Sequence, residues 1–242
     1  MPAMLFLLFV AVMVILVVAL SARYLGGRSG IGIAVALAGW LLYVGCIGYF
    51  GVIRNYTLRP PGAVFLFGPV VAFLAFFIWR MRSESATRLA LRFPLFLLLG
   101  MQVFRVVVEL FLHELWHAGM IPRMLTYAGA NVDIYVGASA PIIAWLTTRL
   151  RSGTRLAMIW NVLGLLALAN AVCRAVLTAP GPFHVIPSEV PDLMIGTFPY
   201  MFIPGFMVPL AVVLHVLALR AITPPRRRSG RERSPAETRR PI

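Results

Sequence analysis

Four ionisable side chains recur at every fourth position of the apolar stretch FRVVVELFLHELWHAG. They are Arg105, Glu109, His113 and His117. On an α-helix this spacing keeps all four within an arc of about 120° on one face. The same stretch contains HELWH, in which two histidines one turn apart could both ligate a metal ion while Glu114 activates a bound water. The pattern therefore predicts either a metal site, for zinc or another metal, or a polar stripe inside a helix bundle.

The composition identifies a membrane protein. Of 242 residues, 60% are hydrophobic and only 12% are charged, and the mean hydropathy is +0.88, far from the average of soluble domains. The net charge of +14 comes from 22 arginines and no lysine. Cys46 and Cys173 both lie in apolar stretches, so we interpret them as packing residues rather than as a disulfide framework.

Seven apolar runs are long enough to cross about 30 Å of hydrocarbon. The sequence therefore predicts an all-α, polytopic transmembrane bundle of about seven helices in one domain, residues 1–222. The fifth run is short and contains Gly137 and Pro141, which leaves a re-entrant segment as an alternative. The runs lie near residues 2–20, 31–53, 63–79, 94–118, 134–148, 156–179 and 197–220.

The arginines predict how the chain is oriented. Loops after the first, third and fifth runs contain 2, 4 and 3 arginines and the segment from Arg220 contains 8, whereas the intervening loops contain 2, 1 and 0. By the positive-inside rule the N-terminus is outside and the C-terminus is cytoplasmic. A cleaved signal peptide is the alternative for the first run, but cleavage would invert this bias, so we expect a retained helix.

The arginine distribution also indicates the partners. Residues 223–242 contain RRRSGRERSPAETRR, and we expect a disordered cytoplasmic tail that contacts anionic lipids of the bilayer. Because the arginines follow the topology of the chain, we expect no nucleic-acid partner. The predicted location is the bacterial inner membrane, with multiple passes.

The polar side chains converge in the outer half of the predicted bundle. Counting 1.5 Å per residue, Arg105 lies near the bilayer centre and Glu109 about 4 to 5 Å outward. Helix six brings Asn170 and Arg174 to the same depths, and Asp133 precedes helix five. Ionisable groups at membrane depth usually mark function. We therefore predict a ligand-binding cavity lined by Arg105, Glu109, Asp133, Asn170 and Arg174, for a small ligand, a metal ion or a proton.

A purely structural role is the alternative for these charges, as ion pairs that fix how the helices meet. In either case we expect Glu109 to pair with Arg105 and Arg174, as the carboxylate within reach of both by depth. Replacing Glu109 by glutamine is then predicted to cost about 3–5 kcal/mol.

HELWH locally resembles the membrane-embedded zinc proteases of the site-two type. That resemblance implies a zinc ion on His113 and His117, catalysis by Glu114, and a third ligand from a later aspartate. Here PSEVPDLM places Asp192 at that position, without the glycine that follows in the family. The predicted topology also differs from that of the family, whose metal site lies toward the cytoplasmic side, because it puts these residues at the outer face. An intramembrane metallohydrolase is therefore the alternative function.

A haem held by His113 and His215 is not expected, because the predicted helices place the two histidines about 20 Å apart in depth. His113 with His117 or His184 could hold a metal or a haem near the outer surface. Helix seven contains Pro199, Pro204 and Pro209, which predict a kink.

The second half of the chain resembles a group of small, uncharacterised bacterial membrane proteins with several helices. The likeness is carried by ANVDIYVGASAPIIAWL and FPYMFIPGFMVPLAVVLHVLALR, which follow FRVVVELFLHEL. It implies that helix four, the corner from Asn131 to Asp133 and helix seven form the working core, and it implies no activity.

Overall fold

A computed structural model describes residues 2–55, 58–181 and 184–223, and this part of the chain is helical without strands. The all-α prediction is confirmed. Short 3₁₀ turns supplement nine α-helices: α1 Pro2–Leu25, α2 Gly27–Tyr49, α3 Val64–Arg80, α4 Glu84–Ala90, α5 Leu95–Gly100, α6 Phe104–His117, α7 Asp133–Arg149, α8 Gly153–Thr178 and α9 Val208–Ile222. The tail predicted over residues 223–242 lies almost wholly outside the described residues.

Five helical stretches among the described residues are long and apolar enough to cross a membrane. They are α1, α2, the run from α5 through α6, α8, and Ile203–Ile222. The helices α3 and α4 together make a sixth candidate, bent by 101°. Large apolar side chains such as Leu42, Phe76 and Leu166 are exposed on these helices, as expected for surfaces that face lipid.

The fourth predicted run forms α5 and α6, which a single 3₁₀ turn over Met101–Val103 joins into one stretch. The short helix α4 was not predicted. It begins after Ser83, whose hydroxyl accepts a hydrogen bond from the backbone N–H of Ala86 at 3.2 Å. This is an ordinary N-cap, and it turns the chain between α3 and α5.

The proline-rich run begins as turns and becomes helical only at Ile203. Residues Ile203–Met207 form a π-helical segment that leads into α9. Pro209 has no N–H to offer the carbonyl of Gly205, four residues earlier. That carbonyl instead accepts a hydrogen bond from the indole N–H of Trp40 on α2, at 2.8 Å. The irregular helix start is thereby fixed to a neighbouring helix.

The centre of the bundle is formed by α7, which packs against α5, α6 and α8, and by α9, which packs against α3, α4, α5 and α8. Gly137 allows the closest approach of α7 to α6. A Cβ atom on Gly137 would lie 2.8 Å from the backbone nitrogen of Val106 and 3.2 Å from Cβ of Arg105. This close contact brings the charged face of α6 against the first turn of α7.

Candidate polar binding site

Arg105 pairs with Asp133, at the start of α7, rather than with Glu109. Its Nε donates to Oδ2 of Asp133 at 3.2 Å, and its Nη2 donates to Oδ1 of the same carboxylate. Both side chains are buried, and the two parallel bonds form the fork that favours arginine and carboxylate. The prediction that Glu109 is the partner of Arg105 was wrong. Helix α7 brings a second carboxylate to the same depth, in better geometry than a residue one turn away on the same helix.

His215 belongs to the same cluster, and the prediction that depth separates it from the other polar groups was wrong. Its Nε2 lies 3.0 Å from Nη1 of Arg105. The seventh predicted run started at residue 197, whereas the helical span that contains His215 begins at Ile203. The later start moves His215 toward the middle of the span, and the long side chain of Arg105 reaches across the remaining distance.

The hydrogen bonds of His215 fix its tautomer. A guanidinium only donates, so Nε2 of His215 must accept from Arg105 and the imidazole must be neutral. Its Nδ1–H then donates to Oδ1 of Asn161 at 2.8 Å, and Nδ2 of Asn161 donates to the carbonyl of Ala157 at 2.7 Å. Gly164 leaves the space for the ring, because a Cβ there would lie 2.5 Å from Cε1 of His215.

Glu109 is 1% exposed and bonds to an amide instead of to an arginine. Its Oε1 accepts from Nδ2 of Asn131 at 2.6 Å. Asn131 in turn accepts from the backbone N–H of Asp133 at 3.1 Å, which places the amide between the two carboxylates. The second oxygen of Glu109, Oε2, is buried and has no hydrogen-bond partner among the described residues.

A cavity of about 180 Å³ adjoins these groups. Glu109, Asn131 and Asp133 form its polar wall, and apolar side chains of α3, α6 and α8 and of the segment before α9 form the rest. Val71 of α3 lines the cavity and is also 61% exposed. The cavity therefore reaches the apolar exterior beside α3. A small hydrogen-bond donor or cation is what this lining could bind.

Asn170 and Arg174 lie apart from this centre. Nε of Arg174 donates to Oδ1 of Asn170 at 2.9 Å, and Nδ2 of Asn170 donates to the carbonyl of Ala130 at 3.2 Å. Arg174 was expected to pair with Glu109. It instead pairs with Asn170, which lies one turn earlier on α8. The two side chains fasten α8 to the loop before α7.

The two histidines of HELWH lie at the far end of α6, near solvent. Their Nε2 atoms are 3.1 Å apart, and the ring of His113 stacks on Tyr127 with centroids 4.6 Å apart. Glu114 is exposed. No group of three His, Cys, Asp or Glu side chains that could hold a metal ion occurs in the part of the chain that the structure describes. Among the described residues, HELWH therefore has no third protein ligand.

Asp192 is buried within the loop after α8 and forms hydrogen bonds with nearby backbone groups. Its N–H donates to the carbonyl of Thr178 at 3.2 Å, and its Oδ1 accepts from the N–H of Met194 at 2.9 Å. Burial raises the pKa of Asp192 to about 7. The structure does not support Asp192 as the third metal ligand that the resemblance implied, because the carboxylate orders a turn instead. His184 also bonds to the carbonyl of Thr178, at 3.2 Å.

The same loop is fastened over the end of α6. Oε1 of Glu189 accepts from the backbone N–H of Arg123 at 2.6 Å, and the N–H of Leu193 donates to the carbonyl of Met120 at 2.9 Å. The backbone bond from Arg123 lowers the pKa of Glu189. The loop closes the end of the bundle where α6 ends and α7 begins.

Several residues of the centre are absent from the set of side chains predicted to bind a ligand. They are Asn131, Asn161 and His215. A signal existed for two of them, because a buried amide or imidazole inside an apolar run must find a partner. The exception is Asn131, which lies in a loop, where a polar residue is ordinary.

The matched part of the chain contains every polar residue of the centre. A family model described as a domain of unknown function matches residues 60–223, from just before α3 to the end of α9. No curated protein matches the chain, and no solved structure matches it. Since the match covers well over half of the 242 residues, the chain belongs to the DUF8737 family.

Proposed function

We propose that the protein is a multi-pass protein of the bacterial inner membrane that binds or transports a small ligand or ion, a proton included, in the cavity beside Glu109. The observation that carries this proposal is a buried carboxylate with one unpartnered oxygen, in a cavity of about 180 Å³ that is otherwise mostly apolar. Ionisable groups at membrane depth are costly and usually functional.

The charges around the cavity support a positively charged or proton-donating ligand. Arg105 and Asp133 neutralise each other through two hydrogen bonds, and His215 is neutral by its hydrogen bonding. Glu109 is left with an amide as its partner. A buried carboxylate that is not bonded to a cation holds a proton or attracts a cation. The cavity supplies the space for such a cation.

The proposed topology has seven spans, with the N-terminus outside and the arginine-rich end in the cytoplasm. Besides the five long helices, it counts α3 and α7, each of 17 residues, which is the lower limit for crossing the hydrocarbon core. The arginine bias supports the orientation. In this topology the cavity lies in the outer half of the bundle.

A thermal-unfolding experiment in detergent tests the ligand class, with methylammonium, sodium and potassium chlorides as probes at constant ionic strength. A ligand that binds the folded state raises the unfolding temperature. We expect at least one of the three cations to raise that of the wild type and to leave that of Glu109→Gln unchanged.

Glu114→Gln is the matched control, because Glu114 lies five residues along the same helix and is exposed. It should respond to the cations as the wild type does. An equal response of Glu109→Gln and wild type, or no response of the wild type to any of the three, would count against a cation at Glu109.

A further inference from the structure

A second and larger cavity lies on the other side of α3. Its volume is about 500 Å³, and α1, α2, α3 and α9 line it together with Leu89 and Phe93. Phe73 of this lining is 50% exposed, so the cavity opens to the apolar exterior of the bundle. Nearly all of its lining is apolar. The indole N–H of Trp40, one of the polar groups in the wall, is already bonded to the carbonyl of Gly205. An occupant of this cavity must therefore be hydrocarbon, since few free donors or acceptors face it.

The cavity is elongated along the helix axes. Its lining extends on α9 and the preceding segment from Gly205 to Leu217 and on α1 from Val17 to Leu25. At 1.5 Å per residue these stretches measure about 18 Å and about 12 Å. This shape suits one extended acyl chain that lies parallel to the helices, rather than a compact ligand.

Several arginines lie near one end of the cavity. The lining residues Leu89 and Phe93 directly follow Arg88 and Arg92, which are both exposed. The ring of Tyr24 contacts that of Phe93 at 5.5 Å, and the guanidinium of Arg23 lies over the Tyr24 ring at 5.6 Å. Four arginines and one glutamate occur between residues 80 and 92. An anionic head group is the chemistry that this end attracts.

We propose that this cavity binds one acyl chain of an anionic phospholipid, with the phosphate of that lipid against Arg88 and Arg92. The site differs from the cavity beside Glu109, although Val70 of α3 lines both. It also differs from the expected contact of the C-terminal tail with lipid, because the acyl chain here lies between helices. Contact with four helices at once distinguishes this lipid from those that surround any membrane protein.

Native mass spectrometry after detergent extraction tests the proposal, on protein reconstituted with an equal mixture of phosphatidylglycerol and phosphatidylcholine of the same chain length. Wild type should retain one phosphatidylglycerol. Ala36→Trp fills the cavity from α2 and should lose that lipid. Val35→Trp is the matched control, because Val35 is the neighbouring residue and is exposed like Ala36 but does not line the cavity. It should retain the lipid.

The double variant Arg88→Gln, Arg92→Gln tests the head group without changing the cavity. It should lose the preference for phosphatidylglycerol over phosphatidylcholine, whereas Arg149→Gln, Arg151→Gln, with two exposed arginines elsewhere at the same end of the bundle, should keep it. Val213→Trp fills the cavity from α9 and replaces Ala36→Trp if that variant does not fold. Lipid retained equally by both filling variants and by wild type, or no head-group preference in wild type, would overturn the proposal.

Discussion

Arg105 shows which part of the site the sequence could predict. Its burial and its need for a carboxylate follow from an arginine in the middle of an apolar run. Which carboxylate pairs with Arg105, Glu109 or Asp133, could not be predicted. The spacing of residues along one helix does not show how closely a second helix packs against it. The structure selects Asp133, which offers two bonds at once, and leaves Glu109 to Asn131. Glu109, which was predicted to line the ligand cavity while paired with two arginines, is thereby left without an arginine bonded to it.

Removing the partner of Arg105 should destabilise the bundle far more than neutralising Glu109. We expect Asp133→Asn to lower the free energy of unfolding by about 3–5 kcal/mol, because a buried guanidinium loses its counter-charge. Glu109→Gln keeps an oxygen to accept from Asn131, so its effect should be much smaller. Unfolding in increasing sodium dodecyl sulfate measures both. Exposed Glu114→Gln serves as the reference, and equal loss in Glu109→Gln and Asp133→Asn would contradict the assignment.

Asp192 should make stability depend on pH at the loop that closes the bundle. Burial raises the pKa of its carboxyl from an ordinary 3.8 to about 7, so between these values the folded protein holds a proton that the unfolded chain has released. The free energy of unfolding should therefore fall, by a few kcal/mol at most, as the pH rises from about 4 to about 7, and then level off.

Asp192→Asn isolates this contribution, because the amide oxygen can still accept from the N–H of Met194 and carries no titratable proton. The difference in unfolding temperature between wild type and Asp192→Asn, measured at half-unit pH steps, should change across this range. A difference that stays constant from pH 4 to pH 7 would show that the carboxyl is ionised throughout.

At the scale of the elements, apolar length predicted where helices form but not how they begin or bend. Each of the seven apolar runs contains a helix, because hydrocarbon excludes unpaired backbone. The start of the last helical span, Ile203–Ile222, was placed six residues early, since Phe198 to Met201 form turns although most of them are apolar. Because of that error, His215 was predicted to lie too far toward the cytoplasmic side of the span. The short α4 is amphipathic and is capped by Ser83. These features extend over only a few residues, so a hydropathy average over a long window does not detect them.

The contact between α6 and α7 should tolerate no side chain at Gly137. Alanine there would place its Cβ 2.8 Å from the backbone nitrogen of Val106, so the helices must separate and the pair of Arg105 with Asp133 must loosen. We expect Gly137→Ala to lower the unfolding temperature clearly. Gly39→Ala is the control, because nothing lies within 4 Å of a Cβ at Gly39; it should be neutral or slightly stabilising. Similar effects of the two would contradict the close packing.

At the scale of the whole molecule, the polar centre around Arg105 and the arginines at the helix ends occupy separate places. The described helix ends at one side of the bundle include Arg23, Arg80 and Arg149, and the buried cluster lies inside the bundle. Composition and loop charge predicted this general arrangement. The two cavities on either side of α3 could not be predicted, because they depend on gaps between helices and not on any residue pattern.

Reporter fusions test the proposed topology. A fluorescent protein fused after Ile242 should fold and fluoresce in the cytoplasm, and an alkaline phosphatase fused at the same position should be inactive. Alkaline phosphatase inserted in the loop between α6 and α7, after Gly119, should be active, because that loop is proposed to lie outside. The reverse pattern would invert the orientation and place the cavity in the cytoplasmic half.

The central claim is that Glu109 is a proton-carrying or cation-binding carboxylate that a small molecule reaches through the cavity beside α3. A hydrophobic carbodiimide, which reacts with protonated carboxyl groups in apolar surroundings, tests this claim most directly when its adducts are located by peptide mass spectrometry. The account predicts an adduct on Glu109 in membranes, none in Glu109→Gln, and little on exposed Glu114. Adducts on Glu114 without any on Glu109, in protein shown to be folded, would contradict it.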